Sequence, residues 1–208
     1  MDDIPGLPPG AFGRIDEGAD EDFYEPTRLV YHIDDGAVAA LTEFYRTLLP
    51  PGGVVLDLMS SWVSHLPPEI AFGEVIGHGM NAEELAANSR LSRWFVQNLN
   101  REPQLPLADA SIDAATICVS IQYLTQPIAV LRELARVLRP GAPLVIAFSN
   151  RCFWQKAVAV WRALDDEKHV RLVELYLQHA GFAQIEAHRL REWVEDESDP
   201  LYVVAGRR

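Results

Sequence analysis

The chain has 208 residues, 49% of them hydrophobic and 23% charged, with a formal net charge of −12. That length suits one well-buried domain rather than two, and the composition is that of an ordinary folded globular chain. The acidic balance repels phosphate backbones and anionic membrane surfaces, which disfavours nucleic acid as a partner, and no apolar run approaches the ~20 residues of a membrane span.

Residues 1–22 carry seven acidic side chains, four glycines and three prolines. They predict a flexible acidic arm and do not read as a signal peptide. From Glu25 to Leu49 the apolar residues Val38, Leu41, Phe44, Tyr45 and Leu48 recur three and four apart. That spacing predicts a helix, which Pro50-Pro51-Gly52-Gly53 ends, and residues 23–50 would form a helical lid. VVLDL (Val54–Leu58) predicts a short buried strand, and EVIGHG (Glu74–Gly79) a second. Asn81 with Glu84 three residues on has the form of a capping box that opens a helix. WFVQNL (Trp94–Leu99) predicts a third strand. AATICVS (Ala114–Ser120) predicts a fourth, apolar on both faces as a central parallel strand is.

The next helix is the best marked. Pro127 suits its first turn, Ile128, Leu131, Leu134, Ala135 and Leu138 form one stripe, and Pro140-Gly141 ends it. Its arginines Arg132, Arg136 and Arg139 read as a solvated face. PLVIAFS (Pro143–Ser149) predicts a fifth strand. A helical stretch through Trp161 and a helix from Glu167 to Ala180 follow, with Gly181 at the C-cap. Trp154 and Trp161 read as core. Strands near Phe182–His188 and Leu201–Ala205 close the sequence as a hairpin pair. The expectation is a single domain over residues 23–208, with an α/β, Rossmann-like, seven-stranded, mostly parallel sheet, helices on both faces and a C-terminal antiparallel hairpin. Ligands in such sheets bind at the carboxyl ends of the strands. Cys118 and Cys152 lack metal-ligand spacing and form no disulfide framework. No metal is expected, and the reading is of a cytoplasmic protein with reduced thiols.

The segment from Leu105 to Asn150 contains Leu105-Pro106-Leu107, Asp109, Ser111-Ile112-Asp113 and Arg136-Val137-Leu138-Arg139-Pro140-Gly141. In order and spacing it resembles the class I S-adenosylmethionine-dependent methyltransferases of the type 11 family, in which an LPF-x-D-x-SFD segment precedes a strand and a helix ending in RVLRPGG. Ala180-Gly181-Phe182 and the final LYVVAGRR are similar to the family as well. The resemblance departs from the family at the cofactor motifs. Where the family has D-x-G-x-G-x-G after the first strand, this chain has Asp57-Leu58-Met59-Ser60-Ser61-Trp62-Val63, which keeps the acid and none of the three glycines. Where the family has a ribose-gripping acid after the second strand, it has Gly79.

The resemblance implies cofactor contacts from Asp57, Met59, Ser60, Ser61, His78, Gly79, Met80, Asn98, Leu99 and Ser120. It implies S-adenosylmethionine as cofactor and a small-molecule acceptor without membrane association. Tyr123 falls where the methyl-transfer site is lined, and its aromatic face suits a sulfonium. His32, with Asp34 or Asp35 near it, is a candidate general base. Tyr31, Asn150 and Arg151 are candidate substrate contacts. Each has a plainer reading. Asp57 also reads as a cap of the following turn, Ser60-Ser61 as a helix N-cap, and Asp34-Asp35 as first-turn dipole partners. The leading expectation is methyl transfer to a small molecule. The alternatives are a catalytically inactive, methyltransferase-like binding or regulatory protein, and an enzyme using another nucleotide-like ligand.

Overall fold

The computed structural model describes residue 4, residues 6–195 and residues 198–208. Its elements in chain order are α1 (Asp20–Tyr24), α2 (Asp35–Leu48), β1 (Val54–Leu58), β2 (Glu74–Gly79), α3 (Ala82–Ala87), β3 (Arg93–Val96), β4 (Ala114–Cys118), α4 (Pro127–Val137), β5 (Pro143–Phe148), α5 (Ala159–Arg162), α6 (Asp166–Ala180), β6 (Ala183–Arg191) and β7 (Leu201–Arg207). A single 3₁₀ turn, Ile121–Tyr123, stands between β4 and α4.

The seven strands form one sheet in the order β3-β2-β1-β4-β5-β7-β6. All pairings are parallel except β5 with β7 and β6 with β7. This is the expected sheet with its antiparallel C-terminal pair. The strand order reverses between β1 and β4, both starting from the middle of the sheet.

Period-two alternation along the strands feeds two cores. Leu56, Leu58, Ile117, Ile146 and Val204 face α4 and α6, while Val55, Ala114, Val145 and Val203 face α2. Both faces of the middle strands are therefore dry, which explains why they are continuously apolar rather than alternating. The helices start and stop where side chains replace missing backbone partners. Asp34 accepts from the Ala37 N–H, Asp165 from the Lys168 N–H, and Gly181 takes φ 90° to end α6. No described helix is long and apolar enough to cross a membrane.

Five local expectations need correction. The helix expected from Glu25 begins only at Asp35. Pro26 and the Asp34 cap leave residues 25–34 irregular, and this stretch is drawn over the strand ends instead. The arm expected to be flexible is packed from Ala11 onward. Ala159 and Val160 donate to Gly13 O and Ala11 O at 2.7 and 2.8 Å, and Asp16 donates to Gln155 O at 3.0 Å. Two of its acids are paired: the Arg14 guanidinium lies 2.6 Å from Asp20, and the Lys156 ammonium, from the loop after β5, lies 3.1 Å from Asp16 and 3.4 Å from Asp20. The third strand runs from Arg93 only to Val96, where its pairing with the end of β2 at Gly79 finishes. The helical stretch before Trp161 shrinks to α5, preceded by an irregular loop. Trp154 on that loop is 56% exposed, whereas Trp161 is core and stacks on His169 at 4.0 Å.

Nor is the arginine face of α4 merely solvated. Arg136 donates to Leu105 O, Leu107 O and Asp109, and Arg139 pairs with Asp113. Asp113 in turn accepts from the Val54 N–H at 2.8 Å, which holds its carboxyl below the usual carboxylate range.

Candidate active site

At the reversal of strand order, a cavity of about 470 Å³ opens over the carboxyl ends of β1, β2 and β4. This is the size of a pocket for a cofactor-sized ligand. Asp57, Met59, Ser60, Ser61, His78, Gly79, Met80, Asn98, Leu99 and Ser120 all line it, as do Tyr31, His32, Tyr123, Asn150 and Arg151. Every residue given a cofactor, catalytic or substrate role in the sequence therefore lines one cavity, while Asp34 and Asp35 do not.

The loop after β1 forms the floor. Asp57 is buried and accepts hydroxyl bonds from Ser60 at 2.5 Å and Thr116 at 3.0 Å. Burial pushes its carboxyl up from the ordinary range. It is thus a turn-holding residue whose carboxylate also lines the cavity. Met59 adopts φ 57°, the left-handed region that glycine enters freely. His65 and Val119, at φ 52° and 43°, also line the cavity. A side chain in that region carries about 1–2 kcal/mol of strain, and such strain concentrates at functional sites.

His78 clamps this loop to the sheet. Its Nδ1 accepts from the Met59 N–H at 3.1 Å, and its Nε2 lies 3.0 Å from Gln97 O, which assigns the proton to Nε2. Burial lowers its pKa to about 4. With both ring nitrogens engaged, His78 is a neutral structural clamp rather than a free ligand-binding group. The Ser60 N–H donates to His78 O at 2.6 Å, so the loop runs directly across the end of β2. A Cβ on Gly79 would sit 2.5 Å from Ser60 O. The position cannot carry an acid because the loop fills that space.

Ser61 does not cap a helix, since none follows β1. Its hydroxyl donates to Glu84 Oε2 at 2.6 Å. Only half of the expected capping box forms. Asn81 accepts from the Glu83 and Glu84 N–H groups, while the Glu84 carboxylate turns away to take Ser61 and the Arg28 N–H at 2.7 Å.

Aromatic rings line the far side. Tyr31 packs edge-on against Trp62 at 5.0 Å and over His65 at 6.0 Å. His32 meets Phe153 at 5.7 Å. The Tyr123 hydroxyl accepts from the Phe153 N–H at 2.8 Å, which fixes the loop after β5. Desolvation lowers the His32 pKa, the Glu84 charge opposing and the Arg28 charge assisting. Asp34 caps α2 and accepts from the Asp199 N–H, so it does not pair with His32 as expected. Of the polar groups, Ser120 Oγ is buried without a partner among the described residues. Asn98 holds the arm through Glu21 at 3.1 Å, and Arg151, mostly exposed, lies 3.5 Å from Asp199.

Sequence reasoning missed Arg14, Asp20, Tyr24, Arg28, His65, Glu84, Asn100 and Phe153, which also line the cavity. Most lie on the arm or on loops, where no periodicity marks a residue as facing inward. Asn100 was legible only as a neighbour of Asn98, yet its amide joins Asp20, Tyr123 O and Thr125.

A cavity at the switch point of a sheet ordered 3-2-1-4-5-7-6, closed by an antiparallel pair, defines a Rossmann-like, methyltransferase-type fold. A solved S-adenosylmethionine-dependent methyltransferase from Archaeoglobus fulgidus has this fold with a TM-score of 0.62, at 13% identity over 82% of this chain and 93% of that one. The [4+2]-cyclase SpnF has it as well, with a TM-score of 0.62 at 16% identity over 88% and 89%. Residues 63–146 match the family model of the type 11 methyltransferase domain. The chain is also similar to the ubiquinone/menaquinone biosynthesis C-methyltransferase UbiE of Rubrivivax gelatinosus, 37% identical over 84 residues. That match covers 34% of each chain, so this chain spans about a third of the relative's length.

Proposed function

We propose that the chain is an S-adenosylmethionine-dependent methyltransferase acting on a small-molecule acceptor. The observation that carries this reading is the convergence of the cavity-lining residues on the switch point of a methyltransferase-type sheet. The donor set suits the cofactor. Carboxylate and amide groups cluster at the β2 and β3 ends, the buried Ser120 hydroxyl is free to bond, and the Arg14 Nε is buried without a partner among the described residues. S-adenosylmethionine, when bound, supplies the methyl group. Asp57 and His78 hold the floor loop in place, Asn98 and Leu99 suit an adenine edge and face, and Ser120 faces the interior. Tyr123 and Phe153 supply π faces that favour a cationic centre by about 0.5–2 kcal/mol. His32, kept neutral near pH 7 by burial, accepts a proton from an acceptor hydroxyl or amine. Tyr31, Asn150 and Arg151 line the acceptor's entry. Alignment in a dry pocket is the main demand of such a displacement.

A second reading, an inactive methyltransferase-like binding protein, is favoured by one feature. The hydroxyls of Ser60 and Ser61 are both engaged by protein carboxylates, so neither replaces a glycine-loop amide as a ligand. Isothermal titration with S-adenosylmethionine and S-adenosylhomocysteine separates the two. Micromolar binding, about −8 kcal/mol, followed by methyl incorporation in an acceptor screen, supports the enzyme. No heat and no thermal shift at millimolar ligand would refute it.

A further inference from the structure

We propose that Glu84 of α3 is the carboxylate that grips the ribose hydroxyls of an adenosine ligand in this cavity. The inference rests on the methyltransferase reading but concerns a residue that neither the family motifs nor the comparisons assign. A ribose at a sheet's switch point is characteristically held by an acidic side chain that accepts from its hydroxyls. Three carboxylates line this cavity: Asp20, Asp57 and Glu84. Asp20 is 5% exposed and engaged by Arg14, Lys156 and Asn100. Asp57 is 3% exposed and engaged by Ser60 and Thr116. Glu84 alone is half-buried, neither sealed in nor projecting into solvent. Each of its oxygens accepts one bond from the protein, Oε1 from the Arg28 N–H and Oε2 from the Ser61 hydroxyl. A carboxylate offers about four acceptor positions, so roughly two stay open for a vicinal diol.

The position on β2 where an acid would otherwise project is closed. A Cβ on Gly79 would lie 2.5 Å from Ser60 O and 3.2 Å from the Leu85 side chain. His78 cannot substitute, having both ring nitrogens engaged, and Asn81 gives its amide to Glu83, Glu84 and the carbonyls of Tyr24 and Glu25. Glu84 has the reverse history. Three residues after the helix cap it could return to the Asn81 N–H, yet it is drawn across to Ser61 on the floor loop. The Ser60 carbonyl that closes the Gly79 position and the Ser61 hydroxyl that holds Glu84 belong to one loop, so the loop that excludes an acid at Gly79 also holds the Glu84 carboxylate at the cavity.

The test is calorimetric binding to the full chain of S-adenosylhomocysteine and its 2′-deoxyadenosyl counterpart, with wild type, Glu84→Gln and Glu84→Asp. Wild type is expected to favour the ribose compound by about 10–100-fold, the value of a hydroxyl bonded to a charged group. Glu84→Gln should bind S-adenosylhomocysteine weaker by a similar factor and lose most of the discrimination. Glu84→Asp, which keeps the charge but withdraws it by one methylene, should lose discrimination as well and serves if the glutamine variant unfolds. Full ribose discrimination in a folded variant, whatever its affinity, would overturn the assignment of Glu84 and leave the methyltransferase reading standing. Failure of wild type to bind either compound would overturn that reading and the assignment with it.

Discussion

Replacing Lys156 by methionine tests how the N-terminal arm is held over the cavity. The ammonium is 1% exposed, donates to Gly18 O at 2.9 Å, lies 3.4 Å from Asp20 and stands 5.2 Å over the Phe23 ring. Methionine fills nearly the same volume, so no large cavity opens. What disappears is a charge-assisted bond to a carbonyl, about 1.5–3 kcal/mol, together with the ion pair to the part-exposed Asp16 at 3.1 Å. Stranding a buried charge would add more, about 3–5 kcal/mol in all, but Asp20 keeps Arg14 at 2.6 Å and Asn100 at 3.0 Å. The expected loss is therefore about 2–3 kcal/mol, or a fall in Tm of about 4–12 °C for a domain of this size. Urea unfolding followed by circular dichroism reads the first number. Limited trypsin digestion reads the second consequence, since cleavage after Arg14 and Arg28 should appear in the variant before the sheet is cut. A loss below ~0.5 kcal/mol with an uncut arm would show that the apolar contacts of Ala11 and Phe12 hold the arm, and the argument from the buried ammonium would fail.

Acid should weaken the fold before its carboxylates titrate. His65 and His78 have folded pKa values lowered by burial from 6.5 to about 4, so the unfolded chain takes up their protons first. Their contribution is complete above pH 6.5 and is lost as pH falls from 6.5 toward 4, with a slope nearing 1.4 kcal/mol per pH unit for each proton. Urea midpoints measured from pH 7.5 to 4.5 should fall steadily, and a flat profile would contradict the burial of both rings. Gly79→Ala should destabilise by about 1–3 kcal/mol, because its Cβ would press on Ser60 O and the loop is tied to His78 at both Met59 and Ser60. An unchanged urea midpoint would mean the loop gives way without strain.

Much of the scaffold was readable in the chain itself. Strands β1 and β2 fall on the segments VVLDL and EVIGHG, α4 follows a Pro start, an apolar stripe and a Pro-Gly stop, and α6 follows an apolar stripe and a glycine stop. Those signals are local, because burial on both faces or along one helical stripe demands a particular spacing of apolar side chains. The same locality explains what the family segment encodes. Asp109, Asp113, Arg136 and Arg139 staple the approach to β4 onto α4, so the most recognisable stretch is mainly structural.

The site was legible as a list and illegible as an arrangement. Residues at the strand ends could be named because any parallel sheet brings its carboxyl ends to one side. Their partners could not. That Ser61 would meet Glu84, that Asp34 would turn from His32 to cap α2, and that an acidic, glycine-rich arm would pack on a buried lysine are contacts between residues 23 to 138 positions apart or between competing local options. Sequence alone determined the order of the strands along the chain and where α4 and α6 would lie. Only the tertiary structure decided which charges are neutralised, which hydroxyls are engaged and which carboxylate is left facing the cavity, because burial and pairing are properties of neighbours that the chain brings together only when folded.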